Sequence, residues 1–434
     1  MTNSYEYNFE PSKVFAQKLD RDDPLNKFRD RFYIPKDSIY LDGNSLGLLS
    51  KDSEKSIERI IYEWKTLGIN GWLTGKIPWF YISEKMGENI APIIGAKPSE
   101  VIMTGTTTVN LHSLVSTFYN PYGNCTKILA DELNFPNDLY AIEGQIQLKG
   151  LNPEKNLVLV PSSNGKTLDE NLIVELMTDE ICLIILPSVL YRSGQLLDME
   201  FLTQEAHKRN ILIGFDCCHS IGAVPHHFDK WDVDFAFWCS YKYLNSGPGS
   251  SAFLYINERH FNLQNKLKGW FGYVKEKQFD MSIKFQQAHH AGGWQISSPG
   301  IIGAGGVEGS LQIIKEAGIE EIRKKSLQLT SYLIFLVDYY LGKEPYNFTI
   351  DTPRNPNRRS GHIALGRTKD SYKINKALLS HNVIPDFRPP NVIRIAPIAL
   401  YNTYEEIWLV VQLVKQIIDN QEYKKFSEER SIIS

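Results

Sequence analysis

No apolar run in this 434-residue chain approaches the roughly 20 residues needed to cross a bilayer, so no helical membrane anchor is expected. An excess of positive charge is also missing. Lys and Arg total 47 against 50 Asp and Glu, a net charge of −3. A phosphate backbone is met by a broad positive field, so nucleic acid is not an expected partner. There are only five cysteines (Cys125, Cys182, Cys217, Cys218, Cys239), an odd number without CxxC spacing. Buried reduced thiols in a cytoplasm fit that pattern best. The opening MTNSYEYNFEPSK has an early Glu and no apolar core, so it does not read as a secretory signal. No GxxxxGK[ST] occurs, which removes the commonest triphosphate cradle. Internal repeats and low-complexity tracts are absent too.

The chain is too long for one ordinary core, and two domains are the default. Residues 1–50 begin as a polar arm with short helices and reach a short strand at Ile39-Tyr40-Leu41. Apolar runs at 101–103, 127–130, 157–160, 181–186, 211–215 and 234–239 alternate with helical patterns. Such alternation predicts an α/β fold, a mostly parallel sheet covered on both faces. From about 300 the pattern changes to helices over about 307–340, short strands near 347–350, 361–365 and 392–395, and a helix over 404–420. The expected organisation is an arm (1–50), a large domain (51–305) and a smaller α+β domain (306–434).

The most informative stretch is Asp234 to Gly249, DFAFWCSYKYLNSGPG. A buried-looking run ends in Ser240-Tyr241-Lys242-Tyr243 before a Gly-Pro-Gly turn. Little water reaches a lysine at the end of such a strand, and desolvation disfavours its charge. A neutral amine there can form a Schiff base with an aldehyde. Alternatively its stem lies on apolar surface with the head in solvent. Upstream, Asp216 ends the run Ile211 to Phe215, with His219 three residues on. A buried acid needs a cation or donor opposite it, and a pyridinium nitrogen is one such partner. Each motif has a plain alternative, a helix cap for Asp216 and a satisfied core histidine for His219. The combination points to pyridoxal phosphate (PLP).

Thr104-Gly105-Thr106-Thr107-Thr108 joins a strand to a helix, a junction that binds anions through free N–H groups. Thr107 and Thr108 add hydroxyls; ordinary N-capping is the alternative. In Asn134-Phe135-Pro136-Asn137-Asp138 the aromatic could stack on a flat ring and the acid polarise it, or the loop could simply be packed. Arg394, between Ile393 and Ile395, suits a two-pronged grip on a carboxylate or an inter-domain salt bridge.

Taken in order, the chain closely resembles the kynureninases, PLP enzymes of the aspartate-aminotransferase fold type (fold type I). The likeness runs through YLDGNSLGLLS (40–50), GKIPW (75–79), TTVNLH (107–112) and NFPNDLYAIEGQIQLKGLN (134–152). It continues through GFDCCHSIGAVP (214–225), WDVDFAFWCSYKYLNSGPGS (231–250), GWFG (269–272), WQISSP (294–299) and IRIAPIALYN (393–402). The resemblance implies a sheet of the seven-stranded type sandwiched by helices, and a homodimer with each active site at the subunit interface. It also implies hydrolysis of kynurenine to anthranilate and alanine, in tryptophan catabolism or NAD biosynthesis. Lys242 would carry PLP and act as base, with Tyr241 as acid/base aid. Asp216 and His219 would attend the ring, together with Phe135, Pro136, Asn137 and Asp138. Thr107, Thr108, Tyr241, Trp270 and Ser298 would complete the cofactor site. Ser45, Trp72 and Arg394 would meet the substrate.

Three positions depart from the pattern. Members preferring the 3-hydroxylated substrate carry histidine where Trp72 stands and asparagine where Ser298 stands. A phosphate-binding hydroxyl is expected about where Pro187 stands, with Ser188 beside it. The nearest rival is another fold-type-I reaction, a β-lyase or a cysteine desulfurase. A desulfurase needs a mobile catalytic cysteine, whereas Cys217, Cys218 and Cys239 fall in or beside predicted strands. A metal hydrolase built on Asp216, His219, His226 and His227 is poorer, because adjacent histidines on extended chain face opposite ways.

Overall fold

The computed structural model describes residues 7–429; residues 1–6 of the expected arm and 430–434 of the expected C-terminal domain lie outside the described residues. Its strands, in chain order, are β1 (Ile39–Tyr40), β2 (Val101–Met103), β3 (Lys127–Asp131), β4 (Leu157–Val160), β5 (Ile181–Pro187), β6 (Leu212–Asp216) and β7 (Phe235–Trp238). They continue as β8 (Phe253–Ile256), β9 (Thr349–Ile350), β10 (Ile363–Gly366), β11 (Val383–Ile384), β12 (Asp386–Arg388) and β13 (Val392–Ile395).

Seven of these form one sheet in the order β2-β8-β7-β6-β5-β3-β4. Pairs from β7 through β4 are parallel, whereas β8 runs antiparallel to both neighbours. Runs such as IILP in β5 and FAFW in β7 are buried residue after residue, because helices cover both faces and no polar alternation is called for. β8 escapes the alternation of strand and helix that reveals the others. It returns from β7 through the Gly-Pro-Gly turn and pairs at once.

The helix Lys51–Leu67 begins at Ser50, whose side chain accepts from Ser53 N, and stops at Gly68 with φ 53°. It packs on Ile301–Ala317 through small residues. A Cβ at Gly309 would lie 2.4 Å from the Asp52 and Ser53 backbone, so only glycine allows the approach. That second helix runs unbroken across the expected 305/306 boundary. The break comes at Gly318 (φ 80°), before Ile319–Tyr340.

Strands β12-β13-β10-β9 form an antiparallel sheet covered by the helices Ile319–Tyr340, Ser371–Ser380 and Tyr404–Asp419. The start of the chain joins this layer: β1 pairs with β11, and the helix Lys13–Arg21 packs on Tyr404–Asp419. The Asp20 carboxylate accepts from Tyr404 N at 2.6 Å and Glu405 N at 2.9 Å, capping a helix from the opposite end of the sequence. Among the described residues no helix is long and apolar enough to cross a membrane.

Candidate active site

Lys242 follows the wholly buried β7, and its turn is held on several sides. Ser240 Oγ meets Ser250 Oγ at 2.6 Å and the Ser251 carbonyl at 2.7 Å. Gly47 N donates to Tyr241 O at 2.7 Å, and Asn245 N to Lys242 O at 2.9 Å. The Lys242 amine lies 3.0 Å from His219 Nε2. His219 is buried, and its Nδ1 has no partner. Burial, reinforced by the charges of Lys242 and Arg394, holds its pKa well below the usual imidazole range. A neutral ring beside an amine can accept from it or donate to it.

Asp216 ends β6, where its Oδ1 accepts from Cys218 N at 2.7 Å. Asp138 is its carboxyl neighbour. Asn137 donates to Asp138 Oδ1 at 3.2 Å, while Oδ2 is buried without a partner. Burial first, and the adjacent Asp216 second, raise Asp138 well above the usual carboxylate range; Lys242 acts the other way. Tyr241 is half-buried, and burial pushes its phenol upward, so it stays a donor at neutral pH.

Thr107 and Thr108 are the first residues of the helix Thr107–Phe118. The cap is Thr106, whose side chain accepts from Val109 N. Ordinary capping is therefore taken by Thr106, and the two half-buried threonines face outward at the strand–helix junction; Thr108 Oγ1 meets Asn137 Oδ1 at 3.0 Å. Phe135 and Pro136, both exposed, open the helix Pro136–Leu148. The Phe135 ring meets Tyr191 edge-on at 5.4 Å. Ser188 faces inward. Its N–H and its hydroxyl both go to the Asp216 carbonyl, at 2.8 and 2.9 Å. The departure at Pro187 is thus not compensated by its neighbour.

Arg394 is buried in β13, opposite Asp386 of β12, and the two form an ion pair. Nη1 donates to Tyr191 O at 2.6 Å, and Nη2, which shares the ion pair, also donates to Ser45 Oγ at 3.1 Å. The ion pair thus lies within one sheet rather than between domains, while the remaining contacts tie that sheet to two distant loops. Trp72 and Trp270 line a separate apolar cavity of about 460 Å³ with Phe80, Phe271 and Phe279, and Ser298 is exposed. Among the described residues, no hydrogen bond or ring contact links these three to Lys242, Asp216 or His219. Sequence reasoning missed Gly47, Tyr191, Asp386 and His362, a buried ring 5.7 Å from His219. Gly47 stands within YLDGNSLGLLS, where its bracing role cannot be read, and Tyr191, Asp386 and His362 lie in none of the quoted motifs; each is recruited from another element.

An aminotransferase class-V family model matches residues 39–365, and a kynureninase C-terminal domain model matches 322–414. The chain belongs to the kynureninase family. Curated kynureninases from Geobacillus thermodenitrificans and Shouchella clausii are 54% and 55% identical, each over 98% of this chain and 99% and 98% of their own. Among solved structures, an apo cysteine desulfurase from Thermococcus onnurineus NA1 superposes with TM-score 0.75 at 18% identity, over 93% of this chain and 98% of its own. The cystine C–S lyase C-DES superposes with TM-score 0.74 at 15% identity, over 87% and 98%. These two share the fold, PLP fold type I. The kynureninase family uses PLP and hydrolyses kynurenine to anthranilate and alanine.

Proposed function

We propose that this chain performs the family's reaction with Lys242 as the amine that holds the cofactor and moves the proton at Cα. The observation carrying this reading is the Lys242–His219 contact of 3.0 Å beside the Asp138–Asp216 carboxyl pair. The fit to PLP rests on unmet polar atoms. Asp138 Oδ2 and His219 Nδ1 are buried without partners next to the amine, and a polar, flat ligand satisfies such atoms. Lys242 would hold PLP covalently, Asp216 its ring nitrogen, and Phe135 and His219 its faces, with Pro136, Asn137 and Asp138 around the ring. Thr107, Thr108, Tyr241, Trp270 and Ser298 would surround the phosphate. When bound, PLP supplies an electron sink for negative charge at Cα.

The residues then divide the remaining work. Neutral His219 orients the Lys242 amine. Tyr241, kept protonated by burial, donates to the group that develops charge near it. Arg394 takes the substrate carboxylate on its Ser45 side, where its present contact is longest, while Asp386 holds the guanidinium in plane. Water attacks the γ-carbonyl, and the Cβ–Cγ bond breaks to release anthranilate and then alanine.

The assembly is a homodimer with Trp72 and Trp270 serving the partner's site. Its support is the apolar surface around them, where Leu73 is 70% and Phe279 73% exposed; contiguous exposed apolar side chains mark interaction surfaces. Five free thiols support a cytoplasmic location. A yellow protein that borohydride bleaches, forms anthranilate from kynurenine and elutes as a dimer is the expected result. A colourless protein without turnover would overturn the assignment, and an active monomer the assembly.

A further inference from the structure

The parallel ladder between β3 and β5 is irregular. Lys127 stands opposite Ile181 and Ile128 opposite Leu183, which leaves Cys182 as an extra residue. An extra residue of this kind kinks a strand and re-aims its side chain. Here the Cys182 sulfur points at the turn leading into β3 and lies 2.5 Å from the carbonyl oxygen of Cys125, 57 positions away. That turn is itself held, because Tyr122 and Cys125 exchange two backbone hydrogen bonds of 2.9 Å. The Cys125 thiol is near enough to add to the upward shift that burial gives the Cys182 thiol. Both are half-buried, whereas Cys217, Cys218 and Cys239 are buried. The pair sits at the N-terminal ends of its strands, the edge of the sheet opposite Asp216 and Lys242, and the reaction uses neither sulfur.

We infer that Cys125 and Cys182 are a redox modification site, closing to a reversible disulfide when a peroxide is present. The Cys125 thiolate attacks one peroxide oxygen, the O–O bond breaks and hydroxide leaves, giving a sulfenic acid. The Cys182 sulfur then attacks the Cys125 sulfur, so that S–S forms, S–O breaks and water departs with the Cys182 proton. Two thiols are oxidised by two electrons and one peroxide is reduced to two waters. Cys182 goes second because its thiol is engaged with the Cys125 carbonyl and burial holds its proton on; the thiolate is the form a peroxide meets first. The loop so closed contains Asn134 to Asp138, so oxidation staples a segment of the cofactor site without touching it.

The test uses the holoenzyme, treated with stoichiometric hydrogen peroxide, alkylated and mapped by mass spectrometry. Alkylatable thiols should fall from five to three, with one linked peptide pair joining Cys125 to Cys182. Turnover should be unchanged, and the melting midpoint should rise by about 2–4 °C. Dithiothreitol should reverse all of it. Cys125→Ser and Cys182→Ser should each keep activity and lose both the bond and the rise. A bond among Cys217, Cys218 and Cys239, oxidation of Cys125 only to sulfinic acid, or a bond without the rise would overturn the inference.

Discussion

Lys242 and Arg394 sit in opposite circumstances, and their substitutions should fail differently. The Lys242 amine meets the His219 ring at 3.0 Å, so Lys242→Ala removes the proposed proton carrier while leaving the fold. Anthranilate formation should drop by about two to four orders of magnitude, the usual scale for a positioned acid–base group, with the melting midpoint nearly unchanged. Residual turnover within tenfold would disprove the assignment. Arg394 is buried and fully engaged with Asp386, Tyr191 and Ser45. An ammonium cannot reproduce that fork, so Arg394→Lys should raise KM at least tenfold and also lower thermal stability. Lowered stability with unchanged KM would confine Arg394 to the salt bridge. At Trp72 the expected effect is on substrate choice. An indole only donates, where an imidazole both donates and accepts, and Ser298 is exposed. A buried phenolic hydroxyl without a good partner loses about 1–3 kcal/mol, or roughly one to two orders of magnitude. L-Kynurenine should therefore be used at least as well as its 3-hydroxy derivative; side-by-side kcat/KM values favouring the latter would sink the idea.

Among elements, the parallel strands were legible because burial on both faces writes a continuous apolar word such as FAFW or LIIL. β8, β11 and β12 were not. They are two to four residues long and return antiparallel or sit at a sheet's margin, where no crossover helix announces them. The helix Ile301–Ala317 begins six residues before the helical pattern read from about 307, because the helical role of the glycines in IIGAGGVEG shows only in their packing against residues 52–57. The lysine, acid and histidine could be read because each lies at the end of an apolar run. What braces them could not, as Gly47 shows. A Cβ there would lie 2.4 Å from the Lys242 carbonyl and 2.2 Å from Asn245 Oδ1, so the turn carrying the amine must shift. Gly47→Ala should cut kcat at least tenfold while leaving the Lys242 side chain intact. Normal kcat in a folded variant would show the turn to be compliant.

At the scale of the whole molecule, the sheet also buries an ionisable group that the proposed reaction does not use, and it shapes the response to pH. Asp131 ends β3 fully buried, and burial raises its pKa to about 7 against the opposing pull of the Leu133 N–H and the Asn134 side chain. An unfolded aspartate titrates near 3.9. Between these values the native state holds a proton that the unfolded state has released, so stability falls as pH rises from about 4 to 7 and then levels off. Asp131→Asn should therefore raise the melting midpoint most above pH 7 and least near pH 4. A midpoint difference that does not grow with pH would refute this.

The docking of Lys13–Arg21 on Tyr404–Asp419 has a further consequence, for biosynthesis. At about 5–20 residues per second, the ribosome makes the first of these helices tens of seconds before the second, the whole seven-stranded sheet intervening. Until then Asp20 has no helix to cap and β1 no β11 to pair with, so the first helix and strand of the nascent chain have nothing to dock on. Truncation of the last helix, or a stalled ribosome upstream of it, should expose the beginning of the protein rather than its end. Limited proteolysis of such nascent chains should cut first within residues 13–40.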